Sequence, residues 1–246
     1  MDLKKVMIFG VPFLHITMDQ FVETINEHVE KNEKIQIITA NPEIVMKAKE
    51  DSYYKDLLIK ATYVTPDGIG IVKASEILGD PLPERVAGYD TMIRFLELAN
   101  KHNYSIYLLG AMEEILKGAI HTIETQYPNV KIVGSHNGYF DWNDPSIPNE
   151  IIKRQPDFIF VALGMPRQEK WISYHFHKFD KGIFMGVGGS FDVLSGTIKR
   201  APLVWQKLNL EWLYRLMKQP SRAKRMVALP KFAYEVIREK VTRKNE

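Results

Sequence analysis

Residues 157–187 read DFIFVALGMPRQEKWISYHFHKFDKGIFMGV, and the alternation within this stretch decides the fold class. Two short runs, DFIFVAL and GIFMGV, are rich in apolar and aromatic residues, which is typical of buried strands. A longer and more polar segment of helix length separates them. A strand, a helix and a second strand in this order form the unit from which parallel sheets are built. We therefore predict an α/β protein.

The same alternation extends back to the N-terminus. Five further runs are predicted strands: KVMIF at 5–9, IQIIT at 35–39, TYVT at 62–65, SIYLL at 105–109 and VKIV at 130–133. Intervening segments, such as residues 91–102 and 113–126, have the length and 3.6-residue periodicity of crossover helices. Seven strands separated by helices predict a mostly parallel, doubly wound, Rossmann-like sheet, and this α/β domain is assigned to residues 1–196.

Residues 197–246 differ from the rest of the chain in charge. They contain 13 Lys and Arg and 4 Asp and Glu, a net charge of +9, whereas residues 1–196 have a net charge of −6. Apolar residues recur at helical spacing from Leu203 until Pro220 ends the helix, and a second helical stretch follows. We predict a basic, amphipathic, helical appendage. Two interpretations remain open, namely a solvated helical pair packed on the sheet and a membrane-surface element.

Several classes of function are excluded or weakened by what the sequence lacks. No cysteine is present, which excludes thiolate metal sites and cysteine nucleophiles and suits a reducing cytoplasm. There is no GxxxxGK[ST] loop, no HExxH and no Asp-x-Asp pair, and the glycine-rich segment at 186–192 departs from the dinucleotide fingerprint. A dehydrogenase or epimerase is thereby weakened. A nucleic-acid-binding module, suggested by the basic segment, is disfavoured by the acidic body.

Polar and glycine-containing turns follow the predicted strands. In an open parallel sheet, ligands bind outside the carboxyl ends of the strands, so a site is expected at these turns. The residues concerned are Thr39, Asn41, Asp67, Gly110, Tyr139, Gly164, Gln168, Gly188, Gly189 and Asp192. Hydroxyl, amide and carboxylate groups are therefore expected to gather along one edge of the sheet.

Each of these features also has a purely structural interpretation. Asp67 lies in a PDG sequence that any surface turn could use, and Thr39 and Asn41 could cap the helix that follows them. The GVGGSFD sequence at 186–192 fits either a tight turn or a backbone nest that holds a phosphate or ribose. Arg85 fits either a surface ion pair or bidentate neutralisation of a diphosphate. The residues alone leave these alternatives open.

Seven segments together resemble the WecG/TagA/CpsF glycosyltransferase family, and more closely its TagA-like, teichoic-acid linkage-unit branch. They are TANPEIV at 39–45, TPDGIGIV at 65–72, ERVAGYD at 84–90, LLGA at 108–111, GYF at 138–140, ALGMPRQEKW at 162–171 and GVGGSFDVLSG at 186–196. The resemblance spans nearly the whole chain. It implies an inverting transfer of N-acetylmannosamine from UDP to N-acetylglucosamine on undecaprenyl diphosphate. Transfer of a related sugar, such as N-acetylmannosaminuronic acid, is the alternative.

The resemblance also implies roles for individual residues. Asp67 would be the general base, Thr39 would position the acceptor or that carboxylate, and Arg85 would offset charge on the departing diphosphate. The remaining matched residues would line the substrate pocket: Asn41, Gly110, Tyr139, Gly164, Gln168, Gly188, Gly189 and Asp192. We expect neither a metal ion nor a cofactor, because cationic side chains would replace the metal.

A lipid-linked acceptor would give the basic appendage a purpose. We expect Arg215, Arg222 and Arg225 to contact the lipid diphosphate or the anionic membrane surface. No run approaches the roughly 18 apolar residues of a spanning helix, so membrane contact is expected to be peripheral. The enzyme is therefore expected in the cytoplasm, on the inner face of the plasma membrane, and a homo-oligomer is left open.

Overall fold

A computed structural model describes residues 3–208, 210–218 and 226–244 of the chain. Its strands are β1 Lys5–Ile8, β2 Val11–Leu14, β3 Lys34–Ala40, β4 Tyr63–Pro66, β5 Ser105–Gly110, β6 Lys131–His136, β7 Phe158–Ala162 and β8 Gly182–Gly186. Its helices are α1 Met18–Glu30, α2 Pro42–Glu50, α3 Ser52–Lys60, α4 Ile69–Leu78, α5 Gly88–His102, α6 Glu113–Gln126, α7 Ser146–Arg154, α8 Arg167–Phe176, α9 Ser190–Leu194, α10 Leu203–Lys207, α11 Glu211–Lys218 and α12 Ala228–Lys244.

The strands form a single eight-stranded sheet in the order β1-β2-β4-β3-β8-β7-β5-β6. Only β1 and β2 pair in antiparallel fashion among these neighbours, and the other pairs run parallel. The prediction of an α/β protein with a mostly parallel sheet is confirmed. The parallel arrangement places the turns after β3, β4, β7 and β8 on the same edge.

Helices cover both faces of the sheet, and the side-chain alternation within the strands shows why. In β7, Phe158 and Phe160 point into the core beneath α1, α5 and α6. Ile159 and Val161 point into a second core beneath α7 and α8. A strand buried on both faces needs apolar residues at every position, which explains the continuous apolar run that identified it in the sequence.

The predicted number of strands was wrong by one, because β2 was missed. Phe9 and Gly10 both have positive φ angles, 51° and 78°, and connect β1 to β2 as a two-residue hairpin. The β2 segment has only four residues and contains Pro12, which weakens its strand signal in the sequence. The first strand was therefore predicted without its antiparallel partner.

The C-terminal residues form shorter helices than the sequence predicts. The apolar periodicity from Leu203 predicted one continuous helix, but α10 ends at Lys207 and α11 begins at Glu211. Farther on, α12 packs against α2 and α4 and buries Phe232 and Val236 almost completely. In the described part of the chain, no helix is both long and apolar enough to span a bilayer.

Candidate active site

A cavity of about 590 Å³ lies at the carboxyl ends of β3, β4, β7 and β8. Its lining includes most of the residues that the sequence predicted: Thr39, Asn41, Asp67, Arg85, Gly164, Gln168, Gly188 and Gly189. Trp212 of α11 and Phe232 of α12 also line it. The cavity therefore combines polar groups from the sheet edge with aromatic groups from the C-terminal helices.

Thr39 and Asp67 converge at the start of α5. The backbone of Asp67 is fixed by a 3.0 Å hydrogen bond from its N–H to the carbonyl of Ala40, at the end of the neighbouring strand. A Cβ atom built on Gly88 would lie 2.6 Å from Thr39 Oγ1 and 3.6 Å from Asp67 Oδ2. A glycine at the first position of α5 thus lets the helix approach both side chains. The arrangement places a hydroxyl and a carboxylate close to the same point beside Gly88, and both residues line the cavity.

Asn41 has the structural role that its position suggested. Its side-chain oxygen accepts a 3.0 Å hydrogen bond from the N–H of Ile44 and caps α2. The residue also lines the cavity, so capping does not remove it from the site. Its use in nucleotide binding stays a prediction.

Gln168 holds the glycine-rich turn after β8 in place. Its Oε1 accepts a hydrogen bond of 3.0 Å from the N–H of Gly188, and its side chain is 6% exposed. A Cβ on Gly186 would lie 2.6 Å from Gln168 Nε2, so the close packing requires a glycine there. The Gly188 N–H is therefore engaged within the turn, and the alternative interpretation, a nest that holds a phosphate or ribose, stays a prediction.

A buried carboxyl that sequence reasoning missed lies beside Gln168. Glu169 Oε1 accepts a 2.8 Å hydrogen bond from Gln168 Nε2, and burial raises the pKa of Glu169 to about 7. Tyr54 of α3 affects the same pKa, yet its hydroxyl and Glu169 Oε2 do not meet the geometry of a hydrogen bond. Glu169 was missed because it lies in the polar sequence RQEK, which resembles an exposed helix face.

Arg85 takes part in a charged cluster at the cavity. Arg85 pairs with Asp90 at 3.3 Å and with Glu211 at 3.7 Å. Arg200 pairs with the same two carboxylates, at 2.6 Å and 3.8 Å. Arg85 therefore forms ion pairs and also lines the cavity, and its role in neutralising a diphosphate stays a prediction. Arg200 and Glu211 were not predicted, because α11 meets the start of α5 only in the folded chain. Asp90 lies at the end of the matched segment ERVAGYD, but no role was predicted for it.

Three predicted residues lie outside the lining of this cavity. Gly110 packs against the backbone of β7, since a Cβ there would lie 2.4 Å from the carbonyl oxygen of Ala162. Tyr139, which is 75% exposed, follows the edge strand β6. Asp192 lies on α9, and its backbone carbonyl accepts from the N–H of Ile198. Their roles in substrate binding stay predictions.

The three arginines predicted to contact the lipid diphosphate fall in the C-terminal segment. Arg222 and Arg225 lie outside the described residues. Arg215 belongs to α11, next to residues that line the cavity, and only its backbone is described. Within the described ranges, no group of three or more His, Asp or Glu residues is placed to hold a metal ion.

Comparisons with known proteins agree with the resemblance found in the motifs. The model of the glycosyl transferase WecG/TagA/CpsF family matches residues 6–246. A Bacillus subtilis (strain 168) protein named N-acetylglucosaminyldiphosphoundecaprenol N-acetyl-beta-D-mannosaminyltransferase is 40% identical over 238 residues, which cover 96% of this chain and 93% of the relative. A protein of the same name from Staphylococcus aureus (strain MW2) is 39% identical with the same coverage. The similarity thus includes both the sheet and the C-terminal helices.

Proposed function

Because this chain belongs to the WecG/TagA/CpsF glycosyltransferase family, we propose that it transfers N-acetylmannosamine from a UDP-linked donor to N-acetylglucosamine on undecaprenyl diphosphate. Its relatives with about two-fifths sequence identity bear the name of that activity. The product would serve as the linkage unit of wall teichoic acid. The mechanism proposed below is supported by one observation. Thr39 and Asp67 both lie close to Gly88, within a cavity that Arg85 also lines.

In the proposed reaction, the Asp67 carboxylate accepts the proton of the attacking acceptor hydroxyl. The hydroxyl oxygen forms a bond to the anomeric carbon of the donor, while the bond from that carbon to the diphosphate oxygen breaks. UDP leaves with the electron pair, and the anomeric centre is inverted. Thr39 positions the acceptor hydroxyl or the carboxylate, because its Oγ1 lies at the same contact with Gly88 as Asp67 Oδ2.

The departing diphosphate needs positive charge, and Arg85 supplies it in this proposal. A guanidinium forms planar, bidentate hydrogen bonds to phosphate oxygens and stabilises the charge that develops as the bond breaks. Arg85 is only 22% exposed, so water screens it less than a surface cation. Asn41, Gln168, Gly188 and Gly189 would surround the nucleotide.

The deciding experiment measures UDP release from UDP-N-acetylmannosamine with a short-chain lipid-diphosphate N-acetylglucosamine acceptor in EDTA. We expect acceptor-dependent release by the wild type and none above background by Asp67→Asn, with UDP affinity retained. Asp56→Asn, on the exposed surface of α3, is the matched control and should turn over normally. Normal turnover by Asp67→Asn would refute the base, and activity restored only by a divalent cation would refute metal independence.

The same assay identifies the donor sugar. UDP-N-acetylmannosaminuronic acid is offered in parallel, since the two sugars differ by one carboxylate that a single basic contact can distinguish. Preference for the neutral sugar supports the proposal. Turnover of the uronic acid alone would assign the chain to the assembly of a different surface polysaccharide.

We further propose that α10 and α11 contact the inner face of the plasma membrane. Leu203, Val204 and Leu208 are 70%, 65% and 62% exposed, and Met217 of α11 is 55% exposed. The basic residue Lys199 lies four positions before Leu203 in the sequence. Apolar side chains beside cations suit an anionic lipid surface, where the lipid-linked acceptor also resides.

Co-sedimentation with phosphatidylglycerol vesicles tests this contact. Leu203→Ser combined with Leu208→Ser should release the protein from vesicles, whereas Ile59→Ser, an exposed apolar position on α3, should not. Vesicle binding unchanged by the double substitution would refute the contact. A changed sedimentation coefficient with unchanged vesicle binding would instead assign these residues to a homo-oligomer.

A further inference from the structure

Two arginines and two carboxylates form a closed cluster at one side of the cavity. Asp90, at the start of α5, contacts both guanidinium groups, and Glu211, at the start of α11, faces both. The four side chains are between 12% and 32% exposed. The charges balance, so the cluster is neutral when no substrate is bound.

Arg200 is held in a way that suits anion binding. Its guanidinium stacks on the ring of Tyr89, with 4.8 Å between the guanidinium carbon and the ring centroid. Stacking fixes the plane of the group and leaves its edge free to form hydrogen bonds. Its Nε is buried and forms no hydrogen bond, since the carboxylate of Glu211 lies 3.8 Å away. Arg200 therefore retains a buried donor that a closer anion could engage.

The two contacts of Arg200 differ in strength. The 2.6 Å contact with Asp90 has the length of a charge-assisted hydrogen bond, and Asp90 also belongs to the well-anchored helix α5. The separations of Glu211 from the two arginines, 3.7 Å and 3.8 Å, exceed hydrogen-bond length. An incoming diphosphate would thus compete with Glu211 more readily than with Asp90.

We propose that Arg200 is a second diphosphate-binding residue, which acts with Arg85 on the nucleotide-sugar donor, and that Glu211 faces the two arginines until the donor arrives. This inference rests on the proposed function, since it assumes a UDP-sugar in the cavity. Two guanidinium groups held by Asp90 can contact oxygens of both phosphates, and displacement of Glu211 from the arginines changes the contacts at the start of α11. Donor binding is thereby coupled to the position of the helix that carries Trp212.

A purely structural role for Arg200 makes a different prediction. If Arg200 only joined α11 to α5, its loss would lower stability and weaken all cavity ligands alike. If it binds the diphosphate, its loss weakens UDP strongly and uridine hardly at all, because uridine has no phosphate. Arg94 on α5, one turn after Asp90, provides a matched control, since it pairs with Asp19 and Glu97 and is absent from the cavity lining.

The experiment titrates UDP and uridine into the full-length chain by calorimetry. Where a ligand binds too weakly for direct titration, its affinity is measured by competition with UDP. We expect Arg200→Gln to weaken UDP binding by about 10- to 100-fold, as for loss of a hydrogen bond between charged groups. Its uridine affinity and the UDP affinity of Arg94→Gln should match the wild type. Glu211→Gln should bind UDP more tightly by about 3- to 10-fold, because a competing carboxylate is removed.

The outcomes separate this inference from the function on which it rests. A wild-type chain that binds no UDP would overturn the proposed function and the inference together. A wild-type chain that binds UDP, with an Arg200→Gln variant that binds it equally well or loses uridine to the same extent, would overturn only the role of Arg200. Unchanged UDP affinity in Glu211→Gln would overturn the role of Glu211. Thermal unfolding of each variant is the control that tests whether the fold is retained.

Discussion

The hydroxyl oxygen of Thr39 lies only 2.6 Å from the point where a Cβ atom on Gly88 would stand. Carbon and oxygen atoms do not approach this closely without displacement, so the Thr39 side chain can keep its present position against the first turn of α5 only if residue 88 is a glycine. Asp67 Oδ2 lies 3.6 Å from the same point. The proposed catalytic pair therefore depends on a missing side chain as much as on the two side chains present.

Substitution of Gly88 by alanine should disable the enzyme while leaving it folded. The added methyl group displaces Thr39 and changes its position relative to Asp67. A misplacement of about 1 Å in an active site costs roughly 100-fold in rate. We expect kcat to fall by about that factor, with UDP affinity preserved, in the UDP-release assay.

Gly70→Ala is the matched control for this substitution. Gly70 is also near the start of a helix and lines the same cavity, but its added Cβ would meet only the ring of Pro42, at 3.0 Å. Its kcat should remain close to that of the wild type. Equal loss in both variants would show that crowding of the cavity, rather than displacement of Thr39, is responsible.

Asn41 allows capping and ligand binding to be separated. Asn41→Ala removes the cap of α2 and should lower the free energy of unfolding by about 1 kcal/mol. Asn41→Asp keeps an equally good cap and should leave stability unchanged, but places a negative charge in the cavity. We expect its UDP affinity to fall about tenfold, as a repulsion of roughly 1.4 kcal/mol would produce. Unchanged UDP affinity in Asn41→Asp would limit Asn41 to its structural role.

Glu169 should make stability fall as the pH rises from about 4.5 to about 7. Its folded pKa of about 7 lies above the ordinary value of 4.5, so the folded state binds more protons than the unfolded state between these limits. Deprotonation of Glu169 therefore favours the unfolded chain, and the stabilisation present below pH 4.5 is lost by pH 7. A shift of this size corresponds to about 3 kcal/mol.

Urea denaturation of the wild type and Glu169→Gln over this pH range measures the effect. Glutamine still accepts from Gln168 but does not titrate, so the difference in stability between the two proteins should change with pH. The comparison is needed because burial lowers the pKa of His175 to about 4, which makes stability rise with pH over an overlapping range. A difference that stays constant from pH 4.5 to 7 would contradict the prediction.

Residues at strand ends could be predicted from the sequence because their placement follows from the strands themselves. Thr39 ends a recognisable apolar run, Asp67 and Gln168 follow such runs within two and five residues, and parallel strands present their carboxyl ends at one edge. Gly110 and Tyr139 follow strands in the same manner. They lie outside the cavity lining because β5 and β6 are remote from β3 and β4 in the sheet, and strand order is not visible in the hydrophobic pattern.

Residues contributed by long-range packing could not be predicted in this way. Arg200 and Asp90 are 110 positions apart, yet their side chains meet at 2.6 Å. Glu169 is buried by contacts of α8 with α3 rather than by its sequence neighbours, which are polar. Neither feature has a local signal, since charged residues in polar segments normally face water.

The last described helix should prove to be part of the folded core. Phe232 of α12 is 3% exposed and packs edge-to-face on Phe9, with ring centroids 5.7 Å apart. Phe232→Ala should lower the free energy of unfolding by about 3–5 kcal/mol, because it leaves a cavity in a close-packed region. Tyr234→Ala, two residues farther on and 65% exposed, is the matched control and should change stability by no more than about 0.5 kcal/mol.

This pair of variants also tests the proposed boundary between the catalytic domain and the appendage. If residues 197–246 formed a separate unit, Phe232→Ala would leave the main unfolding transition in urea unchanged. If α12 unfolds together with the sheet, that transition moves to a lower urea concentration without a change in its slope. We expect the second result, because Phe232 and Val236 belong to the same buried cluster as Val6, Ile44 and Ile71. In that case α10 and α11 would contact the membrane, while α12 would pack on α2 and α4 and supply Phe232 to the cavity lining.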